Sequence, residues 1–418
     1  MTKWEKLKDF MKKLNTFYIG FMVGICLAAI SGMIAMKASG FWGKHLDYTS
    51  IKTESEDSVS QEEIEDKIIT LQNFIDRYYL NEVDINDLAD GIYKGLVDSL
   101  GDVYSTYYTA EEYQDMMEKS SGEYCGIGAV MSQSASTGAI TAITVYEGTP
   151  AMKGGMLPGD VLCSVDGKDI SGMELSAVVS MVKGEEDTQV ELGVIHMGEE
   201  KETILTMTRK KIELPTVQHK MLEGDIGYIS ISTFDKVTVK QFKEALDDLE
   251  AQNEKGLIID LRDNGGGLLT SVVDMLDYML PEGLIMYTET KYGKGDEYNS
   301  TDEEQFTKPL VLLINGNTAS ASEVFTGAIQ DYGLGTVVGT TSFGKGIVQS
   351  VMPLNDGSAI KLTTAKYFTP KGRNIHGTGL EPDVTVDLDE SLKNKVVISM
   401  EEDNQLAVAI EEVKKLMK

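Results

Sequence analysis

"PLVLLINGNTASASEVF", residues 309–325, sets an apolar run against a corner of small residues and then a helical pattern. The run ends at an Asn-Gly turn signal and reads as a strand buried on both faces. "SASEVFTGAIQDYG" continues with apolar residues at helical spacing. Ser320-Ala321-Ser322-Glu323 fits S-x-x-E, a helix capping box. The same position suits a nucleophile, because a helix start presents unpaired N–H groups and the positive end of the dipole.

Outward from this corner the pattern repeats. "GDIGYISISTF" reads as a strand, "TVKQFKEALDDLEAQNEKG" as an amphipathic helix stopped at Gly256, "LIIDLRDNGGG" as a buried strand ending in a glycine loop, and "LLTSVVDMLDYML" as a helix. Alternating strands and helices predict parallel β-α units in layers. Functional loops in such sheets lie at the carboxyl ends of strands. Both "DNGGG" and "NTASAS" fall there.

The 418 residues suffice for two or three domains, and a net charge of −29 argues against nucleic acid as a partner. Three cysteines make no disulfide framework, and neither C-x-x-C, H-E-x-x-H nor a P-loop occurs. No metal or cofactor is expected. Residues 16–36 carry no charge and follow Lys3, Lys6, Lys8, Lys12 and Lys13. The run is about 30 Å long as a helix, one bilayer core. The lysines predict a cytoplasmic N-terminus and an extracytoplasmic remainder at the cell membrane, in a single pass. A cleaved signal peptide ending near "ASG", 38–40, is the competing reading.

The domains follow from these shifts in texture: tail 1–15, transmembrane anchor 16–38, linker 39–60, helical N-terminal arm 61–118, a β-rich domain 119–208, the α/β core 209–385 and a helical C-terminal arm 386–418. Gly126-Ile127-Gly128-Ala129, "TPAMKGGMLPGDVLCSVDG" and the helix after them resemble a PDZ domain. That resemblance implies backbone N–H groups at Gly126, Ile127 and Gly128 that take a peptide's C-terminal carboxylate. It also implies an apolar pocket that includes Ile127 and Val178.

A serine nucleophile needs a base. The four histidines, His45, His196, His219 and His376, sit in no catalytic motif, and no G-x-S-x-G elbow occurs. Lys345, in "SFGKGIVQS", has the apolar, glycine-flanked setting that favours a neutral amine. Taken alone, an exposed lysine on a glycine turn is the plainer reading.

Together, "NGNTASASEVF", "TGAIQDYG" and "FGKGIVQ" resemble the C-terminal processing peptidases, or tail-specific proteases, which are serine proteases with a Ser/Lys dyad. The likeness runs from the helical arm to the lysine segment. It implies a crotonase/ClpP-like ββα core with the PDZ domain before it. Position by position, it implies Ser320 as nucleophile, Lys345 as general base, Gln349 orienting the amine, and Gly266 and the Ala321 N–H as the oxyanion hole. Asp331 matches a residue that supports activity in some relatives and also reads as a structural cap. The implied partners are protein or peptide substrates with exposed C-termini, the membrane, and a second copy in a homodimer. The alternative is a membrane-tethered PDZ peptide-binding scaffold with an inactive protease core. Lys345 and Gln349 would lie about 13 Å apart on a straight strand. Direct contact therefore predicts a bend between them, for which Gly346 is the candidate.

Overall fold

A computed structural model describes residues 59–301, 305–395 and 397–418. The tail, the expected anchor and nearly all of the linker lie outside the described residues. Among the described residues, no helix is long and apolar enough to cross a membrane. The chain divides into two units, Met1–Val83 and Asp84–Lys418. The first holds the helix Gln61–Tyr78, started by a capping box between Ser60 and Glu63 and without a buried residue.

The core of the second unit is a six-stranded sheet. Its order is Val217–Leu222, Ile226–Ile231, Gly256–Asp260, Leu310–Ile314, Thr336–Gly339, Val384–Thr385. All neighbours are parallel except the first pair. Successive side chains of a strand point to opposite faces, so both faces must be covered for runs this apolar. Leu257, Ile259, Leu310 and Leu312 pack on one side against the helices Lys236–Ala251, Leu269–Asp277 and Ala321–Tyr332. Ile258, Val311 and Leu313 pack on the other side against Leu406, Ala409 and Val413 of the helix Asn404–Leu416. The C-terminal segment is thus a third layer of the core. Arg262 fastens it, with Nη2 at 2.6 Å from Asp260 and 2.7 Å from Asp403, the N-cap of that helix.

A second sheet joins Thr106–Tyr108, Ala359–Phe368, Gly283–Thr290 and Gly293–Ser300, with Ile347–Pro353 hydrogen-bonded to Ala359–Phe368. The stretch read as a helical arm, 61–118, therefore contains a strand. Thr106-Tyr107-Tyr108 is rich in β-formers and finds a free edge beside Ala359–Lys361.

The PDZ-like domain is a sheet of Ala129–Gln133, Ile140–Val145, Val161–Val165, Gln189–Ile195 and Thr203–Thr208 with the helix Leu175–Val182. It has its own core, including Ile140, Leu162, Val190 and Val194. The chain enters and leaves it through two paired strands, Glu123–Gly126 and Lys210–Glu213.

Candidate active site

The strand Leu310–Ile314 and the helix Ala321–Tyr332 leave a short corner between them. The corner is tied to the glycine loop. Thr318 Oγ1 donates to the Leu261 carbonyl at 2.8 Å, and the Asn264 carbonyl accepts from Ala319 N at 3.0 Å and Ser322 Oγ at 2.9 Å. Ser322 is wholly buried and its hydroxyl is engaged, which leaves Ser320 as the available serine. Ser320 adopts φ 57° and ψ −116°, a conformation costly for a residue with a side chain. Phe325, packed 6.1 Å from Phe234 and 6.3 Å from Phe242 by ring centroids, anchors the helix behind it. Burying such a ring contributes roughly 1.5–3 kcal/mol.

Glu323 is fully buried and collects four donors. Oε2 accepts the N–H of Ser320 at 2.9 Å and of Lys345 at 2.8 Å; Oε1 accepts Ser342 Oγ at 2.6 Å and Gly344 N–H at 2.7 Å. The capping-box glutamate therefore also grips the lysine loop. That loop lies backbone to backbone on residues 375–380. Ser342 N donates to Leu380 O, and Gly377 N to Gly344 O, at 3.1 and 2.9 Å. A Cβ on Gly344 would meet Gly379 N at 2.8 Å, and one on Gly346 would meet His376 N at 2.6 Å.

Lys345 is half-buried, its Nζ 4.5 Å from the centroid of the Tyr104 ring. Burial, and then the like charge of Lys361, hold its pKa below the ordinary 10.5, while Asp102 and Glu323 pull it back up. Among the described residues the amine has no hydrogen-bond acceptor. Gln349 does not reach it; its Nε2 donates weakly, at 3.4 Å, to Thr363 Oγ1 across the strand pair. The expected irregularity is present in another form. Residues 341–346 are not extended strand, and a register shift falls between Val348 and Gln349, paired with Ala365 and Thr363. The extra residue is Thr364 on the opposite strand, while Gly346 is pinned rather than serving as the bend.

Gly266 lies against Ser320. A Cβ there would sit 2.9 Å from Ser320 Cβ and 3.0 Å from Ala321 N. Its own N–H, read from the sequence as a donor to the reaction centre, instead donates to Asn264 Oδ1 at 2.9 Å in an Asx turn. The Ala321 N–H has no acceptor among the described residues, as befits the first residue of a helix. Asp331 is buried away from this corner, paired with Arg373 at 2.5 Å and accepting Lys371 N–H at 2.8 Å. It fastens the helix Ala321–Tyr332 to the turn that leads into residues 375–380.

In the PDZ-like domain, Gly126, Ile127 and Val178 line one apolar pocket with Met131, Leu162 and Val182. Gly128 has φ 83°, and a Cβ there would meet Thr149 at 2.4 Å, so the loop needs glycine. The sequence signalled Glu323 only as a cap, and gave no sign of Tyr104, Asn264 or the 375–380 support.

Three family models match: peptidase family S41 over residues 225–386, a PDZ domain over 142–195, and the activating protease CtpB N-terminal domain over 26–112. The chain is 35% identical over 329 residues to the carboxy-terminal processing protease CtpA of Bacillus subtilis (strain 168), covering 78% of this chain and 70% of the relative. It is 35% identical over 324 residues to a carboxy-terminal-processing protease of Bartonella bacilliformis, covering 74% and 72%. Among solved structures, a photosystem II D1 C-terminal processing protease is similar at 27% identity with a TM-score of 0.46, over 84% of this chain and 98% of that one. The chain belongs to the carboxy-terminal processing proteases of peptidase family S41. It is a serine-type peptidase of mixed α/β fold that carries a PDZ domain.

Proposed function

We propose that the protein is a membrane-anchored serine endopeptidase that cleaves protein substrates near their C-termini with a Ser320/Lys345 dyad. The observation that carries this reading is the convergence on Glu323. One buried carboxylate fixes the backbone of a strained serine at a helix start and the backbone of a half-buried lysine with a lowered pKa. Neutral Lys345 takes the Ser320 Oγ proton as Oγ bonds to the peptide carbonyl carbon. The carbonyl oxygen becomes an oxyanion beside the Ala321 N–H and the helix dipole; one such donor is worth about 10²–10³ in rate. The lysine then passes its proton to the leaving amine, and water reverses the sequence on the acyl-serine. Gln349 joins by turning from Thr363 to the amine, and Gly266 leaves room for the substrate backbone. The same reading takes the layered core as a ClpP-like ββα protease fold.

The PDZ domain holds a substrate's C-terminus in the groove beside Ile127 and Val178, which delivers the chain to Ser320 or gates the site. The uncharged run 16–36 behind five lysines supports a single-pass anchor, with the catalytic unit outside the cytoplasm. The apolar residues left exposed on Gln61–Tyr78, among them Ile64, Leu71 and Phe74, support a homodimer through the N-terminal arm. The test is cleavage of an unfolded protein by the whole chain in detergent, beside Ser320→Ala and Lys345→Ala. Loss of cleavage in both variants, with unchanged thermal midpoints, is expected. Persistent cleavage in either removes that residue from the dyad.

A further inference from the structure

Outside the dyad itself, the best-defined contact to the base comes from a distant part of the chain. Asp102–Tyr108 precedes the PDZ domain, yet it lies against the hairpin that follows Lys345. Thr106–Tyr108 pairs with Ala359–Lys361 as an edge strand. Ser105 Oγ donates to Asp102 Oδ2 at 2.6 Å and accepts Thr363 N–H at 3.1 Å, while Tyr104 N–H donates to Asp102 Oδ1 at 3.0 Å. Tyr104 is thus fixed from its own backbone and from the neighbouring strand. Its ring is a platform built for something, and what rests on it is the Lys345 amine, 4.5 Å from the centroid. The second cation of the patch, Lys361, is taken by the same segment, through a 3.0 Å hydrogen bond to Tyr108 Oη. Two tyrosines of one short segment thus receive Lys345, just before the hairpin, and Lys361, on its second strand.

We propose that Tyr104 is a positioning residue for the general base: its ring face holds the protonated Lys345 amine and so sets the pH at which that amine becomes free to serve Ser320. This rests on Lys345 being the base. An aromatic face attracts the ammonium and not the neutral amine. The ring therefore opposes deprotonation, while the burial it helps to provide favours it. The charged groups that face the amine are Asp102 from the same segment, Lys361 from the paired strand and Glu323 from the nucleophile helix. Asp102 is kept ionised by its hydrogen bonds from Ser105 and then Thr363, which hold its carboxyl below the usual range. The ring is the one member of this set that can be changed without altering formal charge.

The experiment is kcat/KM against pH for the whole chain and for Tyr104→Phe, Tyr104→Leu and Tyr104→Trp, each with its thermal midpoint, beside Lys345→Ala. Activity needs the neutral amine, so the acid limb reports the lysine. Phe keeps the ring and should leave the midpoint of that limb in place. Leu keeps the site covered but lacks the ring face, and should move the midpoint down by about half a unit to one unit. Trp, the stronger platform, should move it up. A purely structural tyrosine would instead lower kcat or stability with one common midpoint. If Leu and Phe share a midpoint while Lys345→Ala is inactive, Tyr104 has no such role and the dyad stands. Should Lys345→Ala stay active, the base assignment itself falls. If Leu does not fold, Trp against Phe decides, since equal midpoints there also overturn the proposal.

Discussion

The backbone N–H groups of Ser320 and Lys345 donate to the same atom, Oε2 of Glu323, at 2.9 and 2.8 Å. The two loops are therefore held in register by one buried side chain. Glutamine at 323 would present an NH₂ to one pair of these donors. Each unmatched buried donor costs about 1–3 kcal/mol. Glu323→Gln is expected to lower the thermal midpoint and to reduce kcat by at least about tenfold, while a peptide still binds the PDZ domain with parent affinity. Parent values of both midpoint and kcat would refute the shared-anchor role.

Gly266→Ala should be worse than its size suggests. The new methyl would lie 2.8 Å from the Ala319 carbonyl and 2.9 Å from Ser320 Cβ, at a residue with φ 106°. Neither contact is with a flexible side-chain end, so the backbone on one side must move. The expected result is a fall in kcat/KM of about 100-fold, since small displacements of reacting groups are costly. Steady-state kinetics checks it, and activity within threefold of the parent would mean that the loop yields.

Asp331 is expected to act on stability. Its carboxylate, 3% exposed, pairs with Arg373, whose side chain is 40% exposed, and accepts the Lys371 N–H, so its polar partners lie in the turn 371–373. Asp331→Ala should cost about 1–3 kcal/mol, the usual range for leaving buried donors unmatched. Turnover should remain within a few-fold of the parent well below the melting transition. A dead enzyme with an unchanged midpoint would assign Asp331 to the chemistry instead.

With Lys345 as the proposed base, the pH dependence has a definite sign. Burial first, and Lys361 second, lower the Lys345 pKa from 10.5, so the neutral amine gains population at lower pH than an ordinary lysine allows. kcat/KM should rise with pH through a single midpoint below that value. Lys345→Arg should be inactive at every pH, because a guanidinium stays protonated. An Arg variant that retains turnover would show that a charged group suffices.

How much of this was legible in the sequence varies with the range of the interactions. The buried strands, the helix starting at Ser320 and the glycine loop are local patterns, and each read correctly from periodicity and turn residues. The Asx turn that takes the Gly266 N–H is also local, in Asn264-Gly265-Gly266, whereas the oxyanion role expected for that N–H came from the family resemblance and not from the local pattern. The bulge beside Gln349 depends on Thr364 of the opposite strand, and no periodicity within 345–349 encodes it. Tyr104 reaches Lys345 only because Thr106–Tyr108 closes a sheet edge, a long-range pairing hidden within an otherwise helical stretch. The segment 386–418 read as an arm, but the face of its helix that carries Leu406, Ala409 and Val413 is buried against the sheet, a packing that only the tertiary fold reveals.

The paired strands Glu123–Gly126 and Lys210–Glu213 bring the two ends of the PDZ domain to neighbouring positions in one ribbon. Adjacent strands lie about 4.8 Å apart, a gap that a two-residue Asn-Gly turn can close. The domain is thus an insertion whose two ends meet. Its removal, or exchange for a reader of different chemistry, would leave the six-stranded sheet and the loops that meet at Glu323 covalently continuous, at the loss of ties such as that of Lys183 to Glu118. On the proposed reading, the backbone therefore keeps the segment that would recognise a substrate apart from the sheet and loops that would cut it.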